Sequence, residues 1–424
     1  MAKTQTLLWL ILWLCSFTVE AVSIVQAINY RGNSVTQSSV MNREIYISPG
    51  DAFDEALIEK SRQAIMDLGL FKSVYYFLDE DYSSTDTESG DSRITVVFVV
   101  KEKYFFLVIP RLKLEDDEFY YGLQLKADNV FGLNHQLRLL AEDRGTTQGV
   151  DESRYLFRYF YTNVNDSYYN LNVDLQTQND VDETEGAVNR QDDSYRIGIT
   201  RWLNEKGRNR GWFAGSSVAY QLRFNEDLLV SSDSQSIDAV ILGFNFGYRN
   251  INNFEYNRGG KDYGYRLDVS DEMLGSEAEY TRHLFYYRSY YQFKDQPLSN
   301  INVQMQFGHA NNKVLGEYAF SLGSNDDLRG YENNRFLGNT LLLTNLEYMF
   351  PQKSYPLLRY VTFIDVGNTY DQLSDVLHMP LNVGAGVGMR WKIRSFVKVD
   401  LRADVGYGFS DEDYKFSFGT RHAF

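Results

Sequence analysis

From Tyr104 to Phe424 apolar and polar residues alternate in short segments, separated by clusters of Gly, Asn and Asp. "VKVDLRADVGY" shows the pattern best: Val397, Val399, Leu401, Ala403, Val405 and Tyr407 share one face, and Lys398, Asp400, Arg402, Asp404 and Gly406 share the other. A period of two is that of a β-strand with one apolar and one wet face. Sixteen strands are predicted, beginning near Tyr104, Phe119, His135, Ser153, Tyr168, Asp193, Asn209, Asp238, Tyr263, Ala278, Asn300, Leu337, Leu357, Leu381, Val397 and Tyr414. A soluble sandwich accounts for any one of them. An even number at this spacing instead suits an antiparallel transmembrane β-barrel, whose strands cross the bilayer in ~9–11 residues. Closure pairs every backbone group and removes sheet edges, as lipid requires. The aromatic runs "YLFRYFY" and "LFYYRSYYQF" fit girdles at the two interfaces.

Residues 24–103 follow another rhythm. "IVQAINYRG" reads as a strand ending at Gly32, and "TQSSVMNREI" as a short helix with Thr36 as its N-cap. In "DAFDEALIEKSRQAIMDLGLF" the residues Phe53, Leu57, Ile58, Ser61, Ile65 and Leu68 recur at helical steps, and Gly69 stands where a C-cap belongs. "SVYYFLDE" and "ITVVFVVKEK" read as two strands joined by the acidic "DYSSTDTESGDSR", a solvated hairpin loop rather than a metal loop. The order is β-α-α-β-β, a small α/β domain.

At the N-terminus Lys3 precedes the apolar run Leu7–Phe17, and small residues follow at Ala21 and Ser23. This predicts a secretory signal peptide over residues 1–23; as a membrane anchor the run is shorter than the ~20 residues a spanning helix needs. Cys15, the only cysteine, falls inside that segment. The mature chain is therefore expected to have no disulfide, thiolate metal site or cysteine nucleophile. Tyr and Phe number 32 and 28, and the net charge is −15. The aromatics favour strands and membrane interfaces, and the acidic balance argues against nucleic acid as a partner. No metal or cofactor motif is present. The five histidines, His135, His283, His309, His378 and His422, are scattered, without HExxH or a nucleophile elbow, so nothing points to an enzyme.

The order "DLRGYENNRFLGN", "NLEYMFP", "FIDVGN", "GAGVGMRW", "FSFGTRHAF" resembles the C-terminal half of Omp85-superfamily barrels. The unit at 24–103, with "YRGN" after its first strand and "GLF" after its second helix, is similar to one POTRA domain. The resemblance covers essentially the whole mature chain. It implies one periplasmic POTRA domain (24–103) and a sixteen-stranded barrel (104–424) in the outer membrane of a Gram-negative bacterium. It also implies that the loop with Arg329, Gly330 and Tyr331 folds into the lumen and that its arginine meets acidic residues on the wall. Alternation supplies the acceptors: Glu347 points inward from "LLLTNLEYMF", and Phe363, Asp365 and Gly367 point inward from "VTFIDVGN". A guanidinium can grip one carboxylate bidentately and bond the other. Gly330 lets the backbone turn tightly, and Tyr331 is expected against the wall. A solvated arginine at a loop tip is the plain alternative.

In such barrels the first and last strands form a seam that parts to template an incoming strand. The seam candidates here are Leu107, Pro110, Phe418 and Phe424. Pro110 lacks a ladder donor, which fits a weakened seam or simply the strand's periplasmic start. The edge strand of the POTRA unit, with Val74, Tyr75, Tyr76 and Phe77, is expected to add an extended client by backbone pairing, unless these residues only pack the domain. The implied partners are unfolded outer-membrane or secreted polypeptides, outer-membrane lipid, and periplasmic chaperones or accessory proteins. The leading expectation is an assembly, insertion or translocation factor that works without nucleotide or other cofactor. General insertases usually carry several POTRA domains and this chain carries one, so both a general insertase and a specialised relative stay open. A secretion pore or passive channel is the alternative, although such pores usually carry two POTRA domains and a plug helix, and neither fits in 24–103.

Overall fold

The computed structural model describes residues 23–80, 93–115, 118–145, 152–182, 188–227 apart from 205 and 207, and 234–419 apart from 297, 325 and 398. The predicted signal segment before Ser23, residues 81–92 of the acidic connector, and Phe424 lie outside these residues.

The first unit comprises β1 (Ile24–Arg31), α1 (Ser38–Asn42), α2 (Glu55–Asp67), β2 (Phe71–Glu80) and β3 (Arg93–Glu102). The sheet order is β1-β3-β2, with β1 parallel and β2 antiparallel to β3. The unbroken apolar run of β3 suits its central place. Asp54 starts α2, its carboxylate accepting from the amides of Ala56 (2.8 Å) and Leu57 (3.2 Å). The core gathers Val25, Met41, Ile58, Ile65, Phe71, Val96 and Phe98. Thr36 is not the cap of α1: Gln37 holds that position with no side-chain bond. The Thr36 hydroxyl is instead buried and accepts from Asn129 Nδ2 at 2.9 Å.

The second unit is one sixteen-stranded antiparallel sheet. Its strands are β4 (Phe106–Glu115), β5 (Glu118–Val130), β6 (His135–Gly145), β7 (Glu152–Tyr161), β8 (Tyr169–Asp182), β9 (Val188–Trp202), β10 (Gly211–Asp227), β11 (Ser234–Asn253), β12 (Arg258–Ser270), β13 (Tyr280–Gln292), β14 (Asn300–Ala310), β17 (Thr340–Gln352), β18 (Tyr355–Tyr370), β19 (Asn382–Lys392), β20 (Asp400–Gly408) and β21 (Asp413–Gly419). Between β14 and β17 a two-stranded ribbon forms from β15 (Phe320–Leu322) and β16 (Phe336–Gly338). Alternation holds: Phe244 and Phe246 are exposed outward while Ala239 and Ile241 are buried inward.

The strands expected from Asp193, Asp238 and Tyr263 begin four or five residues earlier, at Val188, Ser234 and Arg258, and two other starts move later. The strand expected from Leu337 begins at Thr340, because residues 336–338 pair with β15 inside the loop rather than with the wall. The strand expected from Val397 begins at Asp400. Val397 lies in the β19–β20 turn and is buried in the core of the first unit, where its apolar side chain finds a partner that alternation cannot reveal.

The first unit is docked across turns at one end of the barrel. Gln37 N donates to Gly132 O (2.9 Å), Arg43 Nη1 to Asn163 Oδ1 (2.7 Å), and Asn253 N to Asp67 Oδ1 (2.6 Å). Arg208 donates to the carbonyls of Arg43 (2.9 Å) and Ile45 (2.8 Å), with its guanidinium 3.8 Å from the centre of the Tyr46 ring. Arg210 pairs with Asp67. Directly after β3, Tyr104 N donates to Ser395 O (2.7 Å).

Candidate functional site

The connection between β14 and β17 enters the lumen and seats its tip against β17–β20. Arg329 is 2% exposed. Its Nε and Nη2 donate to the two oxygens of Asp365 (2.6 and 2.7 Å), and Nη1 donates to Glu347 Oε1 (2.6 Å). The Arg329 amide also reaches Asp365 Oδ2 at 3.2 Å. Both acceptors stand on inward positions of adjacent strands, in the register Asn345↔Asp365 and Glu347↔Phe363. The Phe363 ring lies beneath the guanidinium, 3.6 Å from its carbon to the ring centre, a cation–π contact added to the bidentate grip.

Further charges complete this centre. Arg390 Nη2 donates to Glu347 Oε1 (3.0 Å) and to Asp404 Oδ2 (3.1 Å). Arg402 on β20 donates to Asp326 of the loop (2.7 Å). Asn345 Nδ2 donates to Asp365 Oδ1 (2.8 Å) and thereby orients it. Guanidiniums of Arg329, Arg390 and Arg402 face carboxylates of Asp365, Glu347, Asp404 and Asp326, and each side of the contact supplies both signs. Paired charges of this kind are what permit ionised Arg329, Glu347 and Asp365 in an interior that would otherwise reject them.

Small residues make the close approach possible. Gly330 adopts φ +97°, a conformation that side chains disfavour, and a Cβ there would lie 2.7 Å from the backbone nitrogen of Gly408. A Cβ on Gly406 would come within 2.8 Å of Gly330 N. Gly384, Gly406 and Gly408 thus form a groove floor in β19 and β20 along which residues 329–330 lie. Tyr331 is buried over it and donates to Val383 O at 2.7 Å. Leu322 of β15 covers Gly367: a Cβ on that glycine would lie 3.1 Å from Leu322 Cδ1.

The structure brings Arg329, Gly330, Tyr331, Glu347, Asp365 and Gly367 into one site. Arg390, Arg402, Asp404 and Asn345 also belong to it, although sequence reasoning named none of them as partners. Their inward parity was the available signal, since Arg402 and Asp404 already stood on the wet face of their strand.

The other predicted residues lie elsewhere. β2 is an edge strand of its sheet. Tyr75 and Phe77 are 56% and 37% exposed on it, while Val74 is buried and Tyr76 packs on Phe98 with ring centres 6.2 Å apart. Pro110 sits midway along β4, opposite Leu123 of β5. Leu107 is half-buried, whereas Phe418 is 65% exposed. Alternation therefore puts Leu107 on the lumenal face and Phe418 on the outer one. Among the described residues no backbone pairing joins β4 to β21.

A family profile described as Omp85 superfamily domain matches residues 108–424, and a POTRA profile described as surface antigen variable number repeat matches residues 23–103. No curated protein matches the sequence. Among solved structures the fold is similar to that of BamA from Haemophilus ducreyi lacking POTRA domains 1-3, at 14% identity and a TM-score of 0.55, covering 93% of this chain and 84% of that one. It is also similar to CdiB from Acinetobacter baumannii, at 12% identity and a TM-score of 0.60, covering 94% and 73% of the two chains. At such identities the likeness is one of fold.

Proposed function

The chain belongs to the Omp85 superfamily, and on that premise we propose that it inserts polypeptide clients into the outer membrane at the junction of β4 and β21. Members of this superfamily insert or secrete polypeptides without enzymatic chemistry, with the barrel in the bacterial outer membrane and the POTRA domain in the periplasm.

The observation that carries the reading is the junction itself. Among the described residues the outer edges of β4 and β21 have no backbone partner, and such an edge offers a row of donors and acceptors to any extended chain, whatever its sequence. β4 carries Pro110, which has no amide to donate. The described part of β21 turns Tyr414, Phe416 and Phe418 outward, 69%, 72% and 65% exposed, toward lipid and any strand arriving through it. On the periplasmic side β2 offers a second edge, with Tyr75 and Phe77 as its exposed side chains. A client strand held there would be passed to the junction, and the seated loop would keep the wall beside the junction rigid. Periplasmic chaperones or accessory proteins would deliver the client.

The test is reconstitution of the full chain in liposomes with an unfolded outer-membrane barrel as client. Folding should run faster than in empty liposomes. Cysteines at the outward-facing Val108 and Phe418, bridged by a short bis-maleimide, should abolish the acceleration. Unchanged client folding together with steady ion conductance would overturn insertion and favour a pore. A polar cavity of about 520 Å³ in the lumen, bordered by Asn172, Arg196, Ser217 and Arg266, is what supports that second reading.

A further inference from the structure

The loop that carries Arg329 touches the barrel a second time, on the opposite wall. Residues 314–317 form a tight turn: Val314 and Glu317 exchange backbone hydrogen bonds at 2.7 and 3.1 Å, with Leu315 at φ +50° and Gly316 at φ +83°. A leucine in the left-handed region is uncommon and persists where its surroundings hold it. Here Leu315 is buried against Ala219, Ala239, Ile241, Ala278 and Tyr280. Beside it Glu317 is held by two arginines, Arg190 at 2.9 Å and Arg223 at 2.9 Å. Arg223 is itself fixed by Asp192 (2.6 and 3.1 Å) and reaches Leu315 O at 3.3 Å.

This second foot stands directly above the polar cavity. On β9 the foot meets Arg190, while Ser194 and Arg196 border the cavity further along the same inward row. On β10 and β11 the foot covers the Ala219↔Ile241 pair, and the next inward pair, Ser217↔Gly243, lines the cavity. The two feet differ in burial. Glu317 is 45% exposed in its ion pairs, against 1% for Glu347 and 2% for Arg329 at the other foot. Solvent and salt screen the first and hardly reach the second.

We infer that the lumenal loop is a strap with one permanent and one releasable anchor, and that the Leu315–Glu317 foot is a cap whose release opens the arginine-bordered chamber to the extracellular side while Arg329 stays seated. Glu317 and Leu315 are positioning residues that hold the cap, and the opened chamber would admit polar chains or anions. The inference holds for an inserting or a secreting barrel alike, because its test uses no client.

In a Cys15→Ser background, Ser217→Cys places a single thiol in the chamber. Its labelling by a membrane-impermeant maleimide is followed on intact cells. The native loop should label slowly, and Glu317→Gln or Leu315→Asn should raise the rate severalfold with the heat-modifiable barrel band retained. Asparagine tolerates the turn conformation but removes the apolar plug. Raised ionic strength should speed labelling with the native loop reversibly. Fast labelling behind the native loop would overturn the cap, as would rates in both variants no higher than with the native loop. Should both variants fail to form a heat-modifiable barrel, the salt dependence behind the native loop decides: acceleration supports the cap and a flat response overturns it.

Discussion

The seat of Arg329 and the dock of the POTRA unit are both places where one part of the chain lies against the barrel, yet they differ in the mix and burial of their bonds. At the seat, side-chain charges meet side-chain charges in a glycine-floored groove closed to water, as at Arg329, Glu347 and Asp365. At the dock, the ion pairs Arg210–Asp67 and Arg43–Asp166 are joined by long side chains that reach backbone carbonyls, as Arg208 does to Arg43 and Ile45, much of it half-exposed. Removing one partner of a buried ion pair strands the other and costs ~3–5 kcal/mol, whereas an ordinary hydrogen bond is worth ~0.5–1.5 kcal/mol net. The seat therefore behaves as a permanent fixture, and the dock can be exchanged piece by piece.

The largest effect should come from Arg329→Ala. It leaves Asp365 and Glu347 buried and unmatched, so the loop should leave its groove at a cost of ~3–5 kcal/mol. Limited proteolysis in the 311–339 connection and loss of heat-modifiable migration would register this, and Asp365→Asn should act in the same direction. A loop equally protected in both variants would remove the contrast between seat and dock.

Next comes pH, which should act on the dock. Burial pushes the Glu44 carboxyl up to about 7, against the opposing pull of Arg208, Arg210 and Arg43. A carboxyl whose folded value lies above its unfolded one near 4.5 binds more protons when folded. The contribution is thus fully present below about pH 4.5 and is lost as pH rises through about 7, by up to ~3 kcal/mol. Amide exchange in α1 of the full-length protein, corrected for intrinsic rates, should accelerate between pH 5 and pH 8. Glu44→Gln should flatten that response.

Gly406→Val tests the groove without touching a charge. Its side chain would meet the backbone of Gly330, and crowding of this kind costs ~1–3 kcal/mol. The expected outcome is a loop more open to protease while the strands still form. The smallest effect should follow Arg208→Ala, at ~1 kcal/mol from its carbonyl contacts. It should be visible as faster exchange at Arg43–Ile45, with the loop as protected as before.

Much of this molecule could be read from the chain because strands repeat with a period of two. Glu347 and Asp365 were legible as inward residues on neighbouring strands, whereas Arg329 was marked as the charge to match them only by the resemblance to a family. Arg390 and Asn345 were equally inward but carried no mark of partnership, since alternation states which face a residue occupies and not which strand curls round to meet it. Thr36 failed as a cap for a similar reason: its hydroxyl had a partner in Asn129, ninety-three positions away.

By itself the sequence determined the β-α-α-β-β unit, the sixteen strands, and which side chains face the lumen, because these follow from local periodicity and backbone preference. Only the tertiary structure decided that Val397 completes the core of the POTRA unit, that three guanidiniums share one buried centre, and that Glu317 gives the loop a second foot. Those contacts join residues from distant strands, and they exist only once the sheet has curled far enough for its opposite walls to share a lumen.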